Sequence, residues 1–208
     1  WIWIAILALN IYYTGWWIHQ AHKGGFFQAG QMNRTYFLNV VGRINPDRDL
    51  FKLLETNEYF KGTPQSVNTV FQNDFEQDTA FCSTAWPSGG KATCLNGENQ
   101  FFGPITLLVT ANCAPWIRVE ADFLAQSREW DVWKYAQWIV QFYQGEKAIK
   151  TNLIRIQRHL PVDQVSTHLF FDVRVPSEPY DRCTMSIWNA ESPQTLLMDN
   201  LKVSCFED

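Results

Sequence analysis

The sequence predicts an all-β, jelly-roll β-sandwich preceded by one N-terminal transmembrane α-helix and an irregular linker. Three observations lead there. Residues 1–18 carry no charge, and only Asn10, Thr14 and Gly15 fall outside the hydrophobic set. From Val70 onward, eight runs rich in β-branched and aromatic residues are separated by turn signals. No helical pattern of roughly 10–15 residues lies between those runs, so they must pair with one another and not with crossover helices.

Composition fits that architecture. A 208-residue chain with 46% hydrophobic and 18% charged residues suits one ordinary domain with an appendage, and excludes wholesale disorder. A net charge of −4 excludes a global electrostatic pull toward nucleic acid. The chain opens on Trp1 and not on Met, so it reads as a piece of a longer polypeptide whose upstream part is its first expected partner.

The first element, residues 1–22, is read as a bilayer-spanning helix that ends a truncated membrane region. Eighteen residues of helix are roughly 27 Å long, close to the hydrocarbon core of a membrane. Trp16 and Trp17 stand where an aromatic belt meets the headgroups, and His19, Gln20, His22 and Lys23 then enter water. No charged leader and no small-residue cleavage site mark a signal peptide. The alternative is a buried core helix.

Residues 23–64 read as a linker. Gly24 to Gln31 is a polar connector, Asn45-Pro46-Asp47 a turn, and Asp49 to Phe60 a short helix or an irregular wrap. Asn33-Arg34-Thr35 is a glycosylation sequon of low specificity.

Residues 65–208 read as the sandwich, placed outside the cytoplasm. Its strands are expected at Val70–Glu76, Ile105–Ala111, Trp116–Phe123, Trp138–Tyr143, Ala148–Gln157, His168–Val175, Thr184–Trp188 and Leu196–Phe206. Gln144-Gly145-Glu146 is a hairpin turn between two of them. Ile154 and Ile156 alternate with Arg155 and Gln157, as on a half-buried antiparallel strand. The cysteines at 82, 94, 113, 183 and 205 favour an oxidising compartment, and their odd number leaves at least one thiol over. Cys82 and Cys94 flank a Pro87–Gly90 turn that suits a stapled loop; small buried thiols in a reducing compartment are the alternative reading. No CxxC supports zinc or thioredoxin chemistry.

Catalytic motifs are absent: there is no phosphate loop, dinucleotide fingerprint, HExxH or GxSxG. Glu120 and Asp122 share one strand face and are similar to part of the E-x-D-x-x-E strand of sandwich-fold glucanases. Ala125 occupies the third position and breaks that set, which leaves a membrane-bound glycoside hydrolase as the weaker alternative.

The aromatic residues point elsewhere. Trp130, Trp133 and Tyr135 cluster among Arg128, Glu129, Asp131 and Lys134. Flat rings stack on the C–H faces of sugars while polar neighbours take the hydroxyls, so this loop is the candidate glycan platform, with Arg128 and Asp131 as its polar contacts. The competing reading has these rings plugging the sandwich edge. Trp116, Trp138 and Trp188 lie in strand runs and are expected in the core; Trp86, beside Pro87 in the Cys-flanked loop, is free to be exposed. The loop's basic and acidic side chains cancel, which argues against nucleic acid.

Two segments extend the reading by resemblance. Phe71-Gln72-Asn73-Asp74-Phe75-Glu76 opens the sandwich and Leu197-Met198-Asp199-Asn200-Leu201-Lys202-Val203 closes it. They resemble the first and last strands of jelly-roll carbohydrate-binding modules. Trp116 to Phe123 is similar to the W-x-R-V-x-A-x-F strand of such domains, and Ile187-Trp188-Asn189 to their final hairpin. The resemblance implies a structural Ca2+ held by Glu76 and Asp199, with Asp74 and Asp78 nearby. The layout also resembles the C-terminal extracytoplasmic domain of bacterial polytopic membrane proteins, including GT-C-type glycosyltransferases of the dolichyl-phosphate-mannose-transferase-like kind. The function so implied is a non-catalytic domain that binds a cell-envelope glycan or positions an acceptor. A ligand-free structural or protein-interaction domain is the alternative.

Overall fold

The computed structural model describes residues 2–22, 58, 60–77, 83–109, 115–127, 129, 131–160 and 162–207. The chain divides into two compact units, Trp1–Asn45 and Pro46–Asp208. Most of the expected linker lies outside the described residues.

The first unit contains α1 (Ile2–His22). Its apolar residues lie on all sides instead of along one stripe, and Ile2, Trp3, Leu7, Leu9 and Ile11 are exposed. The helix forms where the sequence places it. Among the described residues, however, no helix is long and apolar enough to cross a membrane. Asn10, Tyr12, Tyr13 and Thr14 interrupt the aliphatic run, and Asn10 donates its side-chain amide to the Ile6 carbonyl 2.9 Å away. The bilayer span expected over residues 1–22 is therefore not supported.

The second unit is a β-sandwich of two antiparallel sheets. Its strands are β1 (Gln65–Asn73), β2 (Ser83–Ala85), β3 (Lys91–Leu95), β4 (Phe101–Leu107), β5 (Trp116–Ala125), β6 (Gln137–Gln144), β7 (Lys147–Arg155), β8 (Thr167–Arg174), β9 (Arg182–Trp188) and β10 (Leu196–Glu207). A short helical turn, α2 (Ile156–His159), follows β7. The six-stranded sheet runs β2-β3-β10-β5-β8 with β1 also on β10, and the four-stranded sheet runs β4-β9-β6-β7. The eight expected strands are present, with shifted ends. The short β2 and β3 were not legible, because strands of three and five residues have too little pattern to read.

Alternation assigns the faces. On β5, Ile117, Val119, Ala121 and Phe123 are fully buried, while Trp116, Arg118, Glu120 and Asp122 point outward and are half-buried. The same alternation on β6 sends Trp138, Val140 and Phe142 inward, where Trp138 meets Phe123 and Phe171 edge-on. The 6→7 connection is the expected hairpin, with Gly145 at φ +59°. A smaller apolar cluster, including Cys94, Leu124 and Leu197, buries Trp86, whose exposure the sequence left open.

Strand β10 is the spine of the larger sheet. Its first residues pair with β3 and its last with β1, while the other edge pairs with β5 throughout. A register shift between Asp199 and Lys202, with Asn200 at φ +52°, marks the hand-over. Asn tolerates the left-handed region better than most residues, and a bulge of this kind re-aims neighbouring side chains.

Cys94 and Cys205 are both disulfide-bonded. Cys94 stands beside Leu197, eight residues from Cys205 on the same strand, or about 26 Å at strand rise, far beyond disulfide reach. They therefore belong to two separate crosslinks. Cys183 is a free, buried thiol whose pKa is pushed up to about 12 by burial. Cys82 and Cys113 lie outside the described residues.

Residues just ahead of β1 belong to the sandwich. Phe60 packs edge-on against Trp116 and Phe206, and Lys150 Nζ donates to Glu58 Oε2 at 2.7 Å.

Candidate functional site

The loop expected to hold a glycan is only partly described: Arg128 and Trp130 lie outside the described residues. Asp131 caps a 3-10 turn (Val132–Lys134), its Oδ1 accepting from the Trp133 amide at 3.0 Å. Trp133 is 47% exposed. Tyr135 is 1% exposed and joins the core at the entry to β6, so it cannot stack on a ligand. The turn ends in extended backbone at Tyr135, which delivers this ring to the interior. The loop is anchored by Glu129, a buried acid that accepts from the Asp131 amide and from the Ser192 hydroxyl. Nothing in the local pattern distinguishes Glu129 from a solvated acid.

Trp133 marks one corner of a larger surface. Its carbonyl accepts from Arg155 Nη1 at 3.3 Å, and Arg155 ends β7 at the edge of the four-stranded sheet. The outward positions of that sheet form rows fixed by register. Phe101, Trp188, Gln137 and Arg155 make the first; Ser186, Ile139 and Leu153 the second; Thr184, Gln141 and Thr151 the third; Arg182 and Tyr143 the fourth.

These rows set aromatic rings beside hydrogen-bonding side chains. Phe101, 64% exposed, and Trp188 lie parallel, with 9° between planes and centroids 6.1 Å apart. They form one apolar shelf. Beside it, Tyr143 donates its hydroxyl to Gln141 Oε1 at 2.9 Å, and Gln141 Nε2 donates to Thr151 Oγ1 at 3.2 Å. These bonds fix the amide's orientation and leave donors and acceptors for a ligand. Arg182 lies over the Tyr143 ring, with Cζ 4.5 Å from its centroid.

Trp188 was expected in the core and is not there. Only Trp138 of the three strand tryptophans is fully buried; Trp116 and Trp188 sit half-buried on outer faces. The signal that locates Trp188 is its phase. Cys183, Met185 and Ile187 point inward on β9, so Trp188 faces outward with Ser186 and Arg182.

No protein-family model matches the chain, and no curated protein matches it in sequence. Solved structures do. A family 16 carbohydrate-binding module aligns over 61% of this chain and 87% of its own, at 16% identity and a TM-score of 0.42. The CBM22-1 xylan-binding domain from Paenibacillus barcinonensis Xyn10C covers 70% of this chain and 99% of its own, at 10% identity and a TM-score of 0.44. The C-terminal CBM6 of a laminarinase from Zobellia galactanivorans covers 67% and 99%, at 11% identity and a TM-score of 0.35. These are likenesses of outline.

The second expected site lies on the other sheet. The β10 bulge places Asp199, 7% exposed, near Asp122, Glu76 and Asp74. Burial raises the Asp199 carboxyl above the usual range and its acidic neighbours raise it further, against the lowering effect of the Asn200 amide, 2.7 Å from Oδ1. Asn200 Nδ2 also donates to Asp122 Oδ2 at 2.9 Å. Glu76 Oε1 accepts from the Lys91 amide at 3.0 Å. Gly90, at φ +87°, permits that approach, since a Cβ there would collide with the Glu76 carboxylate. Asp78 lies outside the described residues. Among the described residues, no three His, Cys, Asp or Glu side chains gather as a metal-holding group. Asp199 thus has acidic neighbours, but they do not gather into a metal-holding group of three among the described residues.

The pair considered for hydrolysis is committed elsewhere. Glu120 binds Lys202 at 2.8 Å, and Asp122 binds His168 Nδ1 at 2.9 Å as well as Asn200.

Proposed function

We propose that the sandwich is a non-catalytic glycan-binding domain whose platform is the outer face of the four-stranded sheet, with Trp133 at its corner. The parallel Phe101–Trp188 shelf, bordered by fixed amides and hydroxyls, carries this reading. Sugar rings offer alternating apolar C–H faces and hydroxyl edges, and the rows offer both partners in the same order. The two disulfides support an extracytoplasmic location, and the glycan is then one of the cell envelope. The chain's repeated crossing between sheets supports the jelly-roll form. Tethering such a domain to the rest of its polypeptide would raise the local concentration of an acceptor beside an upstream enzyme such as a glycosyltransferase.

The test is titration of cell-envelope polysaccharide against tryptophan fluorescence. Trp188→Ala and Trp133→Ala are each expected to weaken binding by about 1–2 kcal/mol, roughly five- to thirtyfold, without loss of fold. A domain that binds no polysaccharide would be a structural or protein-interaction domain instead.

A structural calcium at Glu76 and Asp199 belongs to the same proposal. Hard carboxylate oxygens on adjoining strand ends suit that ion, and it would relieve the mutual repulsion around Asp199. A cation that binds only the folded state stabilises by about 2.7 kcal/mol at a hundredfold excess over its Kd. Chelator is expected to lower the melting temperature and calcium to restore it, with the response lost in Glu76→Gln and in Asp199→Asn. Identical melting curves with and without chelator would remove calcium from the proposal.

A further inference from the structure

We infer that the four-stranded face selects a polysaccharide bearing anionic groups over a neutral one, an inference that rests on the glycan-binding reading above. Charge is segregated between the sheets. Strands β4, β6, β7 and β9 contain no Asp or Glu, and Lys147, Lys150, Arg155 and Arg182 are their only charged residues. The six-stranded sheet mixes Glu120, Asp122, Asp172, Asp199 and Glu207 with its cations, and the whole chain is acidic at −4. The strands of this sheet are thus opposite in sign to the chain as a whole, although Lys150, opposite the inward Phe142 and bound to Glu58, is not on the outer face.

Arg182 is the decisive side chain. Three other cations of the sandwich are neutralised: Arg118 by Asp172, Lys202 by Glu120, Lys150 by Glu58. Arg182 is held against the Tyr143 ring, and its buried Nε makes no hydrogen bond among the described residues. The adjacent Asp181 carboxylate accepts from the Gly145 amide at 2.5 Å and makes no ion pair with Arg182 among the described residues. A guanidinium fixed in place without a carboxylate is suited to bind one from a ligand, or a phosphate, through paired N–H donors.

The spacing indicates a polymer. Arg182 is in register with Tyr143 and Trp188 with Gln137, six residues apart along β6, or about 20 Å at strand rise. A single sugar cannot touch both ends; a chain lying along the strands across the Phe101–Trp188 shelf can. Single-stranded nucleic acid is the other polyanion with flat rings, and the acidic chain with its two disulfides favours the glycan.

The test titrates the full chain with polygalacturonate, a glycerol-phosphate wall polymer, neutral xylan and a single-stranded oligonucleotide, at low and high salt. Polygalacturonate or the phosphate polymer is expected to bind at least about tenfold more tightly than xylan, with the advantage reduced by salt. Whichever of the two binds distinguishes a carboxylate from a phosphate source. Arg182→Gln is expected to remove most of the advantage and Arg182→Lys less of it, both with unchanged melting temperature. Lys202→Gln, on the other sheet, is expected to leave it intact. Xylan binding as tight as either acidic polymer would overturn the charge inference and leave the glycan reading standing. Equal binding of the oligonucleotide would reduce the face to a general anion surface and overturn the inference. No binding of any polysaccharide would overturn both.

Discussion

Trp138→Ala is expected to cost about 3–5 kcal/mol, enough to unfold a marginally stable domain. The indole is fully buried and lies 4.9 Å from the Phe123 ring and 5.3 Å from that of Phe171, edge-on to both. Those two rings belong to the opposite sheet, so the truncation opens a cavity at the junction of the layers, where rigid β-strands cannot collapse into it. Trp138→Phe is expected to cost far less. The indole Nε1 is buried without a partner among the described residues, so exchanging it for a phenyl ring removes an unsatisfied donor along with some volume. Urea unfolding of the two variants separates the cases. Equal losses in both would mean that the site depends on the indole itself and not on filled space.

Arg118→Leu is expected to cost about 3 kcal/mol, the low end of the range for removing one partner of a buried pair. Arg118 donates to Asp172 through Nε at 2.8 Å and Nη2 at 3.1 Å, and its guanidinium lies 4.4 Å from the Phe170 centroid. The Asp172 side chain is 3% exposed, so without Arg118 it is a buried anion with no counter-charge. Arg118 itself is 23% exposed, and water reaching it softens the loss. The double variant Arg118→Leu, Asp172→Leu is expected to recover most of that stability, because neither charge is then desolvated alone. A double variant as unstable as the single would show that the leucines do not pack and that the guanidinium's contacts with the Phe170 and Phe206 rings, at 4.4 and 5.3 Å, dominate.

Much of the fold was legible where pattern and length were both strong. The ten residues of β5 alternate between core and surface almost without fault, and the Gly145 turn announces its hairpin. The candidate site was less legible. Trp133, picked by composition, is exposed, whereas Tyr135, two residues on, is buried, since a turn reverses faces in a way that neighbouring residue types do not reveal. Trp188 was assigned by its type when its phase was the better guide. The expected membrane span failed on degree: its helix is real, but polar and aromatic interruptions leave it short of the required apolarity.

Local chemistry alone determined the eight longer strands, the hairpin at Gly145, and which residues of each strand share a face, because steric preference and period-2 alternation act over a few residues. Tertiary structure alone decided which faces met. Phe101 and Trp188 become one shelf only when β4 pairs with β9. Asp199 comes near Asp122 and Glu76 only through the bulge on β10 and its exchange of partners. The sheet without carboxylates is a sheet only because β4, β6, β7 and β9 choose one another across long stretches of chain. Such pairings are settled by burial of the whole core against the entropy of closing long loops, a balance that no single segment records.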